Sequence, residues 1–400
     1  MSQLRPPAAG LSPGRLTVLL GALGALPPLG IDMGLPGLAA VEASFATEPG
    51  AAGQTLSLFL AGFALAQLVL GPLSDRIGRR PVLLGGLLVF ALGGLGCALA
   101  PGFTALLAAR LVQGIGAAAG TVMAFAIVRD LFEGDAARAR LSYVAMVLGV
   151  APVIAPTLGA LVMPWAGWRG IYAVLAGCGA LLLLAVALLL PETHRPGRTR
   201  HAVLAAYAAL LRHRGACAST LANAFNFACM FAWVSGSAGL LIGRLGVRPG
   251  LFGLLFACTA GGIVLGSFVS SRLALARVPA RVPLFWGQAG QLASAALLLV
   301  LLLTMPPSLL LLMPVLVVNT FCRGLVGPNA SHGALDPMPE IAGVAAALLG
   351  ALQMAAGAAA SALVAVLAPS WGPLAMASVM LACAVLAMAA LHWGKNGGTS

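Results

Sequence analysis

The chain has 400 residues, of which 60% are hydrophobic and only 8% charged, and its mean hydropathy is +1.02. Soluble domains carry about 25% charged residues because their surfaces face water, so a string of soluble domains is excluded. The formal net charge of +12 raises nucleic acid as a partner, but the basic residues cluster at alternate turns between apolar runs, which argues for topology instead.

Twelve apolar runs follow one another along the chain, each near the 20 or so residues a helix needs to cross a bilayer. They cover 15–38, 52–73, 81–100, 103–128, 140–163, 168–190, 217–242, 250–272, 282–304, 307–330, 340–367 and 371–393. An all-α polytopic membrane protein of twelve transmembrane helices is therefore predicted. Barrel strands would alternate apolar and polar residues, and runs such as Ala180 to Leu190 do not. The longest polar interruption is a linker over 191–215, which divides the chain into six-helix bundles at 1–190 and 216–400. A short amphipathic helix is expected near Ala202 to Leu211, along the membrane surface. Val69-Leu70-Gly71 recurs as Val264-Leu265-Gly266 at the matching place in the second half, as in transporters built from repeats.

Arg5 and Arg15 precede span 1, Arg76, Arg79 and Arg80 follow span 2, and Arg129, Arg138 and Arg140 follow span 4. Further arginines from Arg195 to Arg214 follow span 6, and Arg272, Arg277 and Arg281 follow span 8. This asymmetry predicts that both termini are cytoplasmic. Span 1 lacks a small-residue cleavage site and is read as a retained helix. The seven cysteines show no CxxC pairing and read as small buried hydrophobes, with no metal site expected.

Glycine and proline inside the spans carry the next signal. Gly114, Gly116 and Gly120 in span 4 mark a close helix interface. Pro152 and Pro156, with Gly159, are expected to kink span 5, since proline removes a backbone donor.

The sharpest motif is Gly71-Pro-Leu-Ser-Asp75-Arg76-Ile-Gly78-Arg79-Arg80, in the turn between spans 2 and 3. Its bland reading is a basic loop that sets topology. Its full spacing resembles the loop signature of the major facilitator superfamily. Arg110-Leu-Val-Gln113-Gly114-Ile-Gly116 resembles that family's second motif, and Pro28-Leu-Gly-Ile-Asp32-Met33-Gly34-Leu35-Pro36 is similar to a span 1 segment of its Bcr/CflA drug-resistance branch, with Gly34 where the branch has Tyr. Ala155-Pro156-Thr-Leu-Gly159-Ala160 keeps part of the family's span 5 efflux pattern, and Gly167-Trp168-Arg169, Pro191-Glu192-Thr193 and Pro328-Asn329-Ala330 fit the same branch. The resemblance implies export of drugs such as phenicols against proton entry, and the Gly- and Arg-rich, lysine-poor composition points to a GC-rich bacterial genome and hence the bacterial inner membrane. The resemblance also implies that Arg110 couples to proton binding, and the loop at Gly71 to Arg80 is expected to latch one conformational state.

Independently of family, ionisable residues within spans are costly and mark function. Asp32 lies roughly 25 Å along a helix from Arg15 at 1.5 Å per residue, in the outer half of the bilayer, where a desolvated carboxylate can take and release a proton. The alternative is an interfacial Asp in a wet helix end. Arg110 falls in the same half and stays charged, so it would tune a carboxylate or hold a carbonyl; the alternative is an arginine that snorkels to the surface. Arg323 in span 10 either favours anionic or electron-rich groups in a cavity or pairs with Asp336. In span 7, Phe227, Met230 and Phe231 share a face with Asn226 nearby; with Met33 and Gln113 they are the candidate substrate wall, although such a stripe also packs against lipid or a neighbour.

An ATP-driven pump lacks its phosphate loop, and an enzyme lacks a nucleophile with a base or an H-E-x-x-H metal motif. The remaining rivals are a proton-coupled importer or exporter of a metabolite, and a non-transporting receptor. The expected partners are a drug-like small molecule, protons and the bilayer, with no cofactor beyond the proton gradient and no oligomer beyond a monomer.

Overall fold

The structure is a computed structural model that describes residues 12–193, 203–337 and 342–395. All regular structure among the described residues is helical. In chain order the helices are α1 (Pro13–Asp32), α2 (Leu38–Phe45), α3 (Gln54–Ile77), α4 (Arg79–Ala98), α5 (Phe103–Leu131) and α6 (Gly134–Leu189). After them come α7 (Val203–Arg212), α8 (Arg214–Ala238), α9 (Pro249–Leu275), α10 (Arg281–Thr304), α11 (Leu309–Leu335), α12 (Ala342–Trp371) and α13 (Pro373–Lys395).

Eleven helical stretches are long and apolar enough to cross a membrane, and one of them, α6, has 56 residues. At 1.5 Å per residue it is far longer than a hydrocarbon core of about 30 Å. Its backbone leaves helical geometry at Gly167 (φ 61°, ψ −167°), so it is two spans, and twelve result. Leu181, Leu184 and Leu188 on its second half are exposed, and Trp165 beside the break is 91% exposed. Large apolar side chains facing outward along helices suit lipid, and exposed tryptophan suits the membrane interface. This is a multi-pass membrane protein.

The chain divides into two compact units, Met1–Gly37 with Ala61–Arg200, and Leu38–Leu60 with His201–Ser400. The division near residue 200 falls within the expected linker, of which residues 194–202 lie outside the described residues, with Arg195, Arg198, Arg200 and His201 among them. The expected amphipathic helix in that stretch is α7. The segment 38–60 groups with the second unit because small residues let it in: the Ser361 hydroxyl donates to the Gly53 carbonyl, and Gly53 packs against Ala365.

Within the first unit, α4 packs on α5 and on the second half of α6, while α1 packs on α5 and on the first half of α6. In the second unit α10 packs on α11 and α13, and α8 on α11 and α12. The neighbour pattern is the same, which agrees with two related halves. Close approach is built on glycine: a Cβ at Gly116 would stand 2.3 Å from the Phe90 backbone nitrogen, and one at Gly266 would stand 2.0 Å from the Phe321 carbonyl oxygen.

Candidate functional site

Asp32 is the last residue of α1, and its side chain is buried. A helix leaves its final carbonyls without partners of its own. Here the Leu29 carbonyl accepts from the Met33 N–H at 3.1 Å, and the Gly30 carbonyl accepts from Arg110 Nη1 at 3.0 Å. The same nitrogen donates to Gln113 Oε1 at 2.7 Å, one turn along α5, and Arg110 Cζ stands 5.4 Å from the Tyr172 ring centroid. Arg110 is 1% exposed. It does not snorkel; it holds the backbone two residues before Asp32. A helix C-terminus carries partial negative charge, so a fixed cation at this end offsets the dipole.

Gln113 is fully buried, and its carbonyl oxygen orients Arg110. Met33 is also buried, and its carbonyl meets the first half of α6, where a Cβ at Gly159 would stand 2.0 Å from that oxygen. Helical dihedrals run unbroken through Pro152, Pro156 and Gly159, and Gly167 alone departs from them within α6. No break in the helix accompanies these residues. Their neighbourhood is a close crossing of α1, which a glycine permits.

The signature motif is helical almost throughout. The expected turn shrinks to one residue, because α3 continues to Ile77 and α4 starts at Arg79. Gly78 joins them at φ 103°, a conformation that side chains rarely adopt. A Cβ there would also stand 2.4 Å from Glu192 Oε2. Glu192 caps α4, its carboxylate accepting from the Arg79 N–H at 2.9 Å and the Arg80 N–H at 3.2 Å. Negative charge is favoured at a helix N-terminus. The Arg79 side chain pairs with Asp75 at 2.6 Å and Asp130 at 2.9 Å, and donates to Ser74. Asp75 is 61% exposed while Asp130 is 13% exposed, so Asp130 holds the better-shielded half of the network. Arg80 donates to the Ala187 carbonyl at 2.7 Å. Arg76 is exposed, and among the described residues Gly71 has no neighbour within 4 Å of where a Cβ would be.

In the second unit, the Asn226 amide donates to Gln291 Oε1 at 2.6 Å, and Asn319 donates to Ser294 Oγ at 2.9 Å. Asn226 is fully buried in this amide network rather than set on an open wall. Phe227 and Phe231 pack with ring centroids 4.7 Å apart against Gly357 of α12. Phe231 is buried, whereas Phe227 and Met230 are half-buried. Arg323 does not pair with Asp336, which lies 3.8 Å from His332 Nδ1. It donates to Asn223 Oδ1 at 3.4 Å and stands over the Phe227 ring.

Sequence reasoning missed Tyr172, Asp130 and the capping role of Glu192. Glu192 had a signal in the Pro-Glu-Thr run, and Asp130 in its place beside Arg129. A cavity of about 590 Å³ in the second unit, lined by Leu38, Glu42, Leu240, Val364 and Trp371 among others, had none.

The Major Facilitator Superfamily profile matches residues 23–362. The chain is 31% identical to the bicyclomycin resistance protein homolog of Haemophilus influenzae, over 86% of this chain and 87% of that one. It is 35% identical to a chloramphenicol resistance protein of Pseudomonas aeruginosa, over 69% of this chain and 64% of that one. The fold is similar to that of a bacterial homolog of the human lysosomal transporter Spinster, with a TM-score of 0.74, 17% identity and 97% of each chain covered. With the profile and the 31% relative each spanning most of its length, the chain belongs to the Major Facilitator Superfamily.

Proposed function

We propose that this transporter exports small drug-like molecules from the cytoplasm in exchange for protons. It would work as a monomer in a bacterial inner membrane, with both termini cytoplasmic and the proton gradient as its energy source. The observation that carries the reading is the buried carboxylate of Asp32 at the end of α1, with Arg110 fixed on the Gly30 carbonyl beside it. Intramembrane acids that are buried and functional move protons in transporters. The resistance names of the two relatives support drugs as the cargo, and the distribution of arginines supports the orientation.

In this reading, protonation of Asp32 from the outside releases substrate outward, and loss of the proton to the cytoplasm resets the site. Arg110 is a positioning residue that holds α1 and supplies fixed charge. Phe227 and Met230, half-buried on α8, are the members of the aromatic face open enough to meet a substrate. The motif around Gly78 latches one state.

The test is drug susceptibility in an efflux-deficient bacterial host, comparing wild type with Asp32→Asn at equal expression across bicyclomycin, phenicols and cationic dyes. Resistance in the wild type that disappears in the variant supports the proposal. Proton-dependent accumulation of a substrate would instead make the chain an importer.

A further inference from the structure

Arg323 lies near the middle of α11, and its surroundings leave most of its hydrogen-bonding capacity open. A guanidinium carries five N–H donors and remains charged. Among the described residues a single donor is engaged, Nη1 to Asn223 Oδ1, at the long distance of 3.4 Å. Cζ stands 5.6 Å from the Phe227 ring centroid. Among the described residues no carboxylate pairs with it, and the side chain is only half-buried. The ends of α11 are about 18 Å away at 1.5 Å per residue, too far for the side chain to snorkel to a headgroup.

The site is built to hold the guanidinium in place. Asn223 is fully buried, and its Nδ2 donates to Ser331 Oγ at 3.0 Å, which turns its carbonyl oxygen toward Arg323. One turn along α11, the guanidinium lies over Gly327, where a Cβ would stand 2.4 Å from Arg323 Nη1. A charge within a span is costly to insert and is kept where it has a use. A planar fork of unengaged donors beside an aromatic face matches one ligand chemistry: a carboxylate carried on an aromatic ring, the oxygens accepting from the fork and the ring lying against Phe227.

We propose that Arg323, Asn223 and Phe227 form a recognition site for aromatic carboxylates, so that the transporter's substrates include lipophilic aryl acids. The inference rests on the transport reading and names a substrate class for it. Arg323 is the residue that contacts the anion; Asn223 and Ser331 position it.

The test is equilibrium binding of a matched pair, 2-naphthoate and 2-naphthamide, to the purified full-length protein in detergent at low salt. The acid should bind at least tenfold tighter than the amide in the wild type. Arg323→Gln should bring the two within twofold, Arg323→Lys should keep part of the preference, and Asn223→Ala should weaken the acid severalfold without reversing it. Equal affinity in the wild type, no binding of the acid, or a preference that survives Arg323→Gln overturns the proposal. Should Arg323→Gln fail to fold, the wild-type pair and Arg323→Lys decide. No gradient enters this assay, so loss of proton coupling would leave the acid-to-amide ratio intact, and a failed ratio would leave antiport intact.

Discussion

Arg110 and Arg323 each put a guanidinium inside a span, one in each unit, and the protein surrounds them differently. Arg110 is sealed, with 1% of its surface exposed, and its fork is fixed by the Gly30 carbonyl, Gln113 and the Tyr172 ring. Arg323 is partly exposed and, among the described residues, held by one long bond and one aromatic face. A buried charge with its hydrogen bonds satisfied acts as a structural fixture, whereas a partly open charge with donors left over is available to a ligand. In the reading proposed above, the first arginine positions the helix end that carries Asp32, and the second is the one left able to meet a ligand.

The most damaging change should be Arg110→Ala. It strips the Gly30 carbonyl and the Gln113 side-chain oxygen of their donor inside the protein, and each buried acceptor left unsatisfied costs about 1–3 kcal/mol. Transport should fall more than about a hundredfold and the melting temperature should drop, with Arg110→Lys intermediate because a point charge replaces a fork. Arg323→Gln should leave the melting temperature nearly unchanged; a loss as large as that of Arg110→Ala would break the comparison.

The same contrast between sealed and open charge recurs within the signature motif. Gly78→Ala forces a side chain into positive φ and onto the Glu192 carboxylate, a strain of about 1–3 kcal/mol, visible in thermal melts and as slowed transport. Asp130→Asn, which removes the shielded partner of Arg79, should slow transport about tenfold. Asp75→Ala removes an exposed partner and should change the rate less than about twofold. Transport rates in which Asp75 outweighs Asp130 would overturn this ranking.

Much of the fold was legible because hydropathy reports burial in lipid directly. The twelve spans, the break at Gly167 and the short helix at α7 follow from apolar runs punctuated by Gly, Pro and Arg. The composition of the site was legible as well, since a charge inside a span is conspicuous. Its partners were not, because several of them are backbone groups. Glu192 reaches the Arg79 N–H across 113 positions, and Arg110 reaches the Gly30 carbonyl across 80; every residue has such groups, so no residue type announces them. Of the two readings of Arg323, pairing with Asp336 fell for a geometric reason. Asp336 is close in sequence, but 13 helical residues place it about 20 Å along the axis, while Asn223 sits beside Arg323 on a neighbouring helix.

The most direct measurement of the central assignment is drug-induced proton movement in everted membrane vesicles, read with a pH-sensitive dye, for wild type and Asp32→Asn at equal expression. Wild-type vesicles should lose part of their pH gradient on adding a transported drug, and Asp32→Asn vesicles should show no response while the purified variant still binds the drug. An undiminished proton signal in Asp32→Asn would contradict the role given to the buried carboxylate at the end of α1.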